Sequence, residues 1–253
     1  MVIYNKLSNK ANYGNYRDTS KIRWIVMHYT GNDGDTAKAN ANYFANNVVK
    51  ASAHYFVDDI SIYRSVPDDY VAWSVGGSRF SDWAQTGGAK YYGNCNNTNS
   101  ISIEMCDTNR DGVIDVSAET LQNAVDLCKH LMAQYNVPLY RVICHFDVNG
   151  KRCPNFNNGA WILGDRPDFK KFKEMLEDDM TEDRVREIIR EELVSSGSTP
   201  SSWASSIWER ATRLGIVTPK KDSGDKLGER PKGYAKREEV VAMILKAMED
   251  DGK

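Results

Sequence analysis

Two histidines and one cysteine of this sequence are candidate zinc ligands, and two of the three lie close together in the chain. The stretch VICHFDVNGKRCPNF, residues 142–156, contains His145 and, eight positions later, Cys153. The third residue, His28, lies near the end of the apolar run IRWIVMHYT. Imidazole nitrogen and thiolate sulfur suit zinc, and a catalytic zinc site takes three protein ligands and keeps one position for water. If the fold brings these residues together, they predict a hydrolytic metal site.

Two further features favour a metal site over the alternative, in which the two histidines and the cysteine are ordinary core residues. Lys151 and Arg152 directly precede Cys153, and we expect their charges to help hold it as the thiolate, the form that binds metals. Glu104 lies in the apolar run SISIEMC, where a carboxylate is costly unless it has a partner or a function.

The order of elements up to about residue 178 predicts an α/β domain with a central, mainly buried mixed sheet flanked by helices. Runs rich in β-branched and aromatic residues predict strands over IRWIVMHYT, SISIEMC and YRVICHFDV, and a hairpin over AHYFVDD and SIYRSV that turns at Asp58 and Asp59. Helical spacing predicts helices over TAKANANYFANNVV, SAETLQNAVDLCKHLMAQYN and DFKKFKEML, with Ser117 as the N-cap of the second. His145 is then expected in a strand and Cys153 in the following loop.

The character of the sequence changes after residue 178. The charged stretch TEDRVREIIREEL and the break VSSGSTPSS predict a helix and a flexible linker over residues 179–200. Residues 201–253 hold two short apolar stripes at helical spacing, typical of a small all-α module. We therefore place a catalytic domain at residues 1–178, a helix and linker at 179–200, and the helical module at 201–253.

The amino-terminal region resembles the zinc-dependent N-acetylmuramoyl-L-alanine amidases, the group that includes phage endolysins and the peptidoglycan recognition proteins. The resemblance extends from about residue 21 to 176, in the family's order. The matching residues are IVMHYT with His28, SAHYFVDD with His54, ISIEMC with Glu104, and HFDVNGKRCP with His145, Lys151 and Cys153. It implies the fold of the peptidoglycan recognition proteins and one catalytic Zn²⁺ bound by His28, His145 and Cys153.

The resemblance also implies an activity, which is hydrolysis of the amide bond between N-acetylmuramic acid and L-alanine in peptidoglycan. Glu104 would be the general base and Lys151 the charge that stabilises the oxyanion. The family often has Tyr where this chain has Ala53. In members with Ala at that place, a Glu on the later strand takes the acid–base role, which agrees with Glu104.

His54 and Trp73 are the candidate substrate-binding residues. The alternative for His54 is a strand histidine bonded to the backbone, and the alternative for Trp73 is an aromatic residue at the edge of the core. The family usually has His after this Trp, whereas the chain has Ser74, which puts substrate contacts on this side in doubt.

Two other functions remain open from the sequence. A non-catalytic peptidoglycan-binding protein on the same fold would have no need of the complete set of candidate ligands, Glu104 and Lys151. A Cys–His hydrolase with Cys153 as nucleophile would keep its activity when metal is removed.

A second metal is suggested by DTNRDGVID, which runs from Asp107 to Asp115 with Gly112 at the sixth position. This is the spacing of the first half of a calcium loop. Ala118 occupies the twelfth position, where a bidentate Glu is expected. We therefore favour a polar hairpin turn after the Glu104 strand, with Asp-Gly as the tight turn, over a Ca²⁺ site.

Composition limits the partners and the place of action. The formal net charge of -2 gives no basic field for nucleic acid, and no apolar run approaches the roughly 20 residues that span a membrane. The start MVIYNKLSNK lacks the apolar segment of a signal peptide. We expect synthesis in a host cytoplasm and action on the cell wall after release, as for a bacteriophage endolysin, or alternatively a host autolysin. Five cysteines in no disulfide pattern are expected to be free thiols.

The helical module at 201–253 loosely resembles a single surface-layer-homology-like module. That resemblance implies binding to a secondary cell-wall polymer. The alternative is a homodimerisation or docking element that also uses the preceding helix.

Overall fold

The computed structural model describes residues 1–177. Its strands are β1 (Ile3–Asn5), β2 (Tyr13–Tyr16), β3 (Trp24–Tyr29), β4 (Tyr55–Val57), β5 (Ile62–Arg64), β6 (Tyr70–Ala72), β7 (Ser100–Met105) and β8 (Val142–Cys144). Its α-helices are α1 (Ala37–Asn46), α2 (Trp83–Thr86), α3 (Ala118–Tyr135), α4 (His145–Asn149) and α5 (Pro167–Glu177). Short 3₁₀ helices span Lys10–Asn12, Thr19–Lys21, Leu139–Arg141 and Asn157–Gly159.

Six strands form one mixed sheet in the order β1-β5-β4-β7-β3-β8, and β2 and β6 form a separate pair. Only the β4–β5 pairing is antiparallel within the six-stranded sheet, and its other pairings are parallel. The predicted α/β fold with a central mixed sheet is confirmed. None of the helices within residues 1–177 is long and apolar enough to cross a bilayer.

The hairpin of β4 and β5 turns at the predicted place because Asp58 satisfies the turn's backbone. The buried Asp58 carboxylate accepts hydrogen bonds from the backbone N–H groups of Ile60 and Ser61. Its second oxygen accepts from the N–H of Ala37, the first residue of α1. One side chain therefore joins the turn to a helix start, where unpaired N–H groups favour a carboxylate.

The two faces of the sheet have different neighbours because side chains alternate along each strand. On one face Ile25 and Met27 of β3 and Ile103 of β7 lie in the same apolar cluster as residues of α3 and α5. Ser117 caps α3 as predicted, accepting a hydrogen bond from the Thr120 N–H. The other face carries the alternate residues of the same strands, and it is this face that holds His28 and Glu104.

An aromatic core fixes the segment that follows Cys153. Trp161 is fully buried, with ring centroids 6.1 Å from Phe156, 5.9 Å from Phe169 and 5.3 Å from Phe172. Phe169 and Phe172 belong to α5, whereas Phe156 lies just after Cys153. Helix α5 is thus packed against the loop that brings the cysteine to the site.

The prediction of one strand through YRVICHFDV is wrong in its second half. Strand β8 ends at Cys144, and His145 begins the short helix α4. The Asp147 carboxylate accepts a hydrogen bond from the Cys144 backbone N–H, at 2.9 Å, and so caps the helix start. Both oxygens of that carboxylate also accept from the Arg166 guanidinium, at 2.7 and 3.1 Å. Arg166 is distant in sequence, so the apolar pattern of the strand did not reveal this capping.

Three strands were not predicted at all. Strands β1, β2 and β6 are three or four residues long and largely exposed or half-buried, so they lack the apolar runs that indicate a strand. The predicted helix and linker at 179–200 and the helical module at 201–253 lie outside the described residues.

The aromatic core yields a stability prediction. We expect Phe172→Ala to lower the free energy of unfolding by about 3–5 kcal/mol, because it leaves a cavity against Trp161. The exposed neighbour on the same helix provides the control, since Lys171→Ala should change it by no more than about 0.5 kcal/mol. Urea unfolding followed by circular dichroism measures both variants. Similar midpoints for the two variants would contradict this view of the core.

Candidate active site

The site is built at the carboxyl ends of three parallel strands. His28 of β3 lies directly opposite Glu104 of β7. Met27 of β3 lies opposite Cys144, the last residue of β8, so His145 follows at the same edge. In open α/β sheets this edge is where ligands bind.

Cys153 returns to this edge through backbone contacts. Its carbonyl oxygen accepts a hydrogen bond from the Phe146 N–H at 2.9 Å, which ties the loop to the start of α4. Its sulfur accepts from the backbone N–H of Tyr29, the last residue of β3. The loop therefore places the sulfur beside His28, with Sγ 3.6 Å from Nδ1.

His28, His145 and Cys153 form one compact cluster. Each offers a ligand atom within 4.8 Å of the others, and the two imidazole centroids are 4.7 Å apart. All three side chains are buried. Within residues 1–177 this is the only group of three or more His, Cys, Asp or Glu side chains with such spacing.

The hydrogen bonding of the two imidazoles shows that the cluster fits a metal ion. His28 Nε2 and both ring nitrogens of His145 are buried and have no hydrogen-bond partner in the protein. A buried polar atom without a partner costs about 1–3 kcal/mol, so three such atoms in one place need another partner. Two nitrogens and one sulfur are the donor set of zinc sites.

Burial sets the charge of the two histidines. It lowers the pKa of His28 well below its usual value, with the nearby His145 and Lys151 adding to the effect. It lowers the pKa of His145 to about 3, again with a contribution from the Lys151 charge. Both rings are therefore neutral at pH 7, the form in which imidazole binds metals. The contact between His28 Nδ1 and Glu104 Oε1, at 3.9 Å, is accordingly not an ion pair.

The expected role of Lys151 and Arg152 in ionising Cys153 needs correction. Burial, together with the Glu104 charge, raises the pKa of the Cys153 thiol well above its usual value, and the Tyr29 N–H and the Lys151 charge only partly oppose this. Arg152 is exposed and pairs instead with Asp82, at 3.4 Å. A metal cation deprotonates a coordinating thiol outright. A bound metal would therefore produce the thiolate, which the two basic residues do not.

Glu104 lies beside the cluster, with its Oε1 3.9 Å from His28 Nδ1. Its side chain is 19% exposed, and its Oε2 has no hydrogen-bond partner. Burial raises its pKa to about 8; the Lys151 charge opposes this and the Asp35 charge adds to it. A cation bound to the neighbouring cluster would lower that pKa, because an opposite charge favours the carboxylate. Glu104 is thus placed to exchange a proton near neutral pH.

Lys151 is the exposed cation of the site. Helix α4 ends at Asn149 and is followed by Gly150, whose φ of +87° turns the chain. The Lys151 N–H donates to Asn149 Oδ1 at 3.0 Å. The Lys151 charge influences the pKa of His28, His145, Glu104 and Cys153. One exposed cation therefore acts on the three buried candidate ligands and on the partly buried Glu104.

His54 lies in a separate hydrogen-bonded network. Its ring is 1% exposed, with Nδ1 at 3.1 Å from the Ser102 backbone N–H and Nε2 at 2.9 Å from Arg17 Nη2. Nε2 also lies 3.2 Å from the Tyr70 carbonyl oxygen. Both ring nitrogens are therefore occupied, which favours the structural interpretation of His54. Its role in substrate binding stays a prediction.

Arg17 is a buried residue that sequence reasoning missed. Its guanidinium donates to the carbonyl oxygens of Asp68, Asn97 and Ser100, besides contacting His54. Burial lowers its pKa to about 10, although Asp68 opposes this. Nothing in the local sequence GNYRDTS distinguishes Arg17 from an exposed arginine.

Trp73 is half-buried and lines a cavity of about 780 Å³. Its indole lies over Gly14, where an added Cβ would be 3.0 Å from Nε1. The cavity is also lined by Lys10, Tyr13 and Tyr16, and none of the three candidate metal ligands lines it. The substrate-binding role of Trp73 stays a prediction.

The acidic loop after β7 is organised by carboxylates that accept from its backbone N–H groups, and Asp33 of another segment accepts from those of Asp111 and Gly112. Asp107 accepts hydrogen bonds from the N–H groups of Asn109 and Asp115, and Asp111 accepts from that of Val113. The loop connects β7 to α3, so the expected hairpin turn is wrong, although the loop is polar as expected. Its aspartates belong to no cluster of candidate metal ligands within residues 1–177.

Comparison with known proteins gives the same result as the geometry. The family model described as N-acetylmuramoyl-L-alanine amidase matches residues 18–156, a range that contains both histidines, Glu104, Lys151 and Cys153. The chain belongs to this family. The match covers the strands and loops that build the metal cluster.

Two curated relatives of the chain are Bacillus proteins. The chain is 32% identical over 140 residues to the N-acetylmuramoyl-L-alanine amidase CwlL of Bacillus licheniformis, which is 53% of this chain and 36% of the relative. It is 30% identical over 163 residues to CwlA of Bacillus subtilis (strain 168), which is 63% of this chain and 54% of the relative. The chain thus spans only about a third to a half of the length of these relatives.

Solved structures share the fold. A mutant endolysin from Bacillus subtilis superposes with a TM-score of 0.53 at 29% identity, covering 70% of this chain and 99% of that one. PlyL superposes with a TM-score of 0.54 at 28% identity, covering 70% of this chain and 97% of that one.

The cluster makes a direct prediction about metal content. We expect the chain to bind one zinc ion per molecule, and His28→Ala, His145→Ala and Cys153→Ala each to lose most of it, because each removes one of three ligands. His130→Ala is the matched control, since His130 is exposed on α3 outside the cluster. Elemental analysis after dialysis against a zinc buffer measures the content. Full zinc content in any of the three cluster variants would exclude that residue as a ligand.

Proposed function

We propose that this chain is a zinc-dependent hydrolase that cuts the amide bond between N-acetylmuramic acid and L-alanine in peptidoglycan, acting as an endolysin or autolysin. The observation that carries the proposal is the buried cluster of two neutral imidazoles and one thiol, with unpartnered nitrogens, beside a carboxyl group. The amidase names of the relatives support the choice of bond.

His28, His145 and Cys153 would hold the zinc ion. When bound, zinc supplies a positive charge that acidifies water and polarises the scissile carbonyl. The protein's contribution is a fixed and buried set of ligands. His28 lies in β3, His145 begins α4 directly after β8, and Cys153 is held by hydrogen bonds to Phe146 and Tyr29.

Glu104 would act as the general base and then as the general acid. Its carboxylate would take a proton from the attacking water and pass it to the nitrogen of the leaving L-alanine amine. The position suits this role because Glu104 lies opposite His28 in the sheet and keeps one oxygen free of hydrogen bonds.

Lys151 would stabilise the negative charge that develops on the carbonyl oxygen. A cation in a fixed position interacts more strongly with the charged oxygen of the transition state than with the neutral carbonyl of the substrate. This difference in interaction energy lowers the barrier. Lys151 is exposed, and its charge influences the pKa of Glu104 and of the three buried candidate ligands.

The structure argues against the two alternative functions. A thiol hydrolase needs an accessible and readily ionised cysteine, but Cys153 is 2% exposed and its thiol pKa is raised by burial. A non-catalytic recognition protein would not require Glu104 at the metal cluster, where an apolar residue would avoid the cost of burying a carboxyl group.

The remaining predictions about partners and location complete this proposal. Peptidoglycan is the proposed substrate, and release from a host cytoplasm to the wall is the proposed route. The module at 201–253 is proposed to bind a secondary cell-wall polymer, with homodimerisation as its alternative. A Ca²⁺ ion at Asp107–Asp115 is not part of the proposal.

Glu104 provides the sharpest test of the mechanism. We expect Glu104→Gln to lower kcat on purified peptidoglycan by about 10²–10⁴-fold, since the amide cannot take the water proton, while the zinc content stays at one per chain. Glu174→Gln, at an exposed position of α5, should keep the wild-type rate. The measurement is the release of new N-terminal amines. Wild-type turnover by the fully zinc-loaded Glu104→Gln variant would remove Glu104 from the mechanism.

A further inference from the structure

Three large aromatic side chains are exposed together on the segment between β6 and β7. Phe80 is 46% exposed, Trp83 is 37% exposed and Tyr92 is 38% exposed. The guanidinium carbon of Arg79 lies 4.7 Å from the centroid of the Trp83 ring and 4.6 Å from that of Tyr92. We call Arg79, Phe80, Trp83 and Tyr92 the aromatic platform.

The platform is fixed to the helix that carries the site. The Phe80 N–H donates to the Asn149 carbonyl oxygen at 2.8 Å, and the Ala89 N–H donates to that of Phe146 at 2.9 Å. Both acceptors belong to α4, which begins at His145. The platform segment is therefore paired to the same backbone that places a candidate zinc ligand.

The platform also touches the turn that leads to Lys151. A Cβ added to Gly150 would lie 3.1 Å from the Cβ of Trp83 and 3.5 Å from that of Phe80. A Cβ added to Gly88 would lie 2.9 Å from the Cα of Gly150, so the two backbones meet where only glycine fits. The exposed rings thus border the residue that precedes the proposed oxyanion-stabilising lysine.

We propose that the aromatic platform binds the glycan strand of peptidoglycan, with a sugar ring stacked on Trp83 next to the cleavage site. This inference rests on the proposed function for its substrate. The apolar C–H face of a pyranose ring packs on the negatively charged face of an aromatic ring, and the ring's hydroxyl and amide groups remain in water. Exposed aromatic side chains grouped at one place are costly to leave in solvent and mark a binding surface.

Two arginines, Arg79 and Arg152, carry positive charge next to the aromatic rings. The Arg79 guanidinium is already positioned against two aromatic rings. The other nearby arginine, Arg152, is paired with Asp82 at 3.4 Å. A cation–π contact leaves the Arg79 charge in place, so the exposed ring faces are the argument for a sugar ring, and a polyanion is the competing ligand that the test includes.

The test measures binding of peptide-free glycan strands to the full chain by isothermal titration calorimetry. Trp83→Ala is expected to weaken binding about tenfold, and Trp83→Phe, which keeps an aromatic face, should stay within about threefold of the wild type. Tyr43→Ala is the matched control, because Tyr43 is 53% exposed on α1 away from this segment. Equal melting temperatures of the variants would show that they remain folded.

A local readout separates the platform from any other strand-binding part of the chain. In ¹⁵N-labelled protein, the indole N–H signal that Trp83→Phe removes belongs to Trp83, and it should shift when strands are added. An unchanged signal, an unchanged affinity of Trp83→Ala, or an equal loss in Trp83→Phe would each overturn the proposal. So would a shift caused by polyglycerol phosphate and not by strands.

The result does not depend on catalysis, because strands without peptides have no scissile amide. If the Trp83 indole signal shifts with glycan strands but intact peptidoglycan yields no new amines, the proposed function fails and the glycan site stands. If amines are released but the Trp83 signal does not shift with glycan strands, only the present inference fails.

Discussion

The parallel register of β3 with its two neighbours is the constraint on which the rest of the site depends. It sets His28 opposite Glu104 on one side and brings the end of β8 alongside on the other. A slip of one residue in β3 would turn His28 to the face packed by α3 and α5 and bring an apolar residue into the site. Both faces of β3 are packed, since Ile25 and Met27 are fully buried on the helical face and Val26 on the other, and the pairing with β7 and β8 on its two sides fixes the register.

Helix α4 extends this arrangement from the sheet to the cleft. The nine residues 145–153 contain His145, the exposed Lys151 and Cys153. One short helix and one loop therefore provide two candidate ligands and a cation. The turn is stabilised by Asp147, which caps the helix and is held by Arg166 from beyond the aromatic core. The platform segment is paired to the same helix. Binding of the substrate's glycan and hydrolysis of its amide would therefore share one structural support.

Much of the candidate site could be predicted from the sequence, because burying polar side chains in apolar segments costs free energy unless they have a partner or a function. A carboxylate in SISIEMC indicates a function because its burial is costly without a partner. Histidines in apolar runs are weaker signals, since both ring nitrogens of His54 are hydrogen-bonded within the protein. The three ligands could be selected by chemistry and by the resemblance to the amidase family. The α/β fold followed from the alternation of apolar strands and amphipathic helices.

The remaining features arise from contacts between distant segments, which a single sequence does not show. The end of β8 depends on Arg166, and the buried position of His54 depends on Arg17 and Ser102. Nothing in the sequence distinguishes the aromatic residues of the platform from other surface aromatics. Only the fold shows that they lie beside Gly150. The ionisation of Cys153 was misjudged because adjacent basic residues suggested a nearby charge, whereas burial outweighs it.

The central claim is that the buried cluster holds a zinc ion that makes the chain an amidase. The most direct test counts new N-terminal amines and new reducing sugar ends released from purified peptidoglycan, before and after chelation. We predict amines without new sugar ends, loss of activity with the chelator, and its recovery when zinc is restored. Amine release that survives complete metal removal, or no release from the zinc-loaded chain bound to the wall, would contradict this claim.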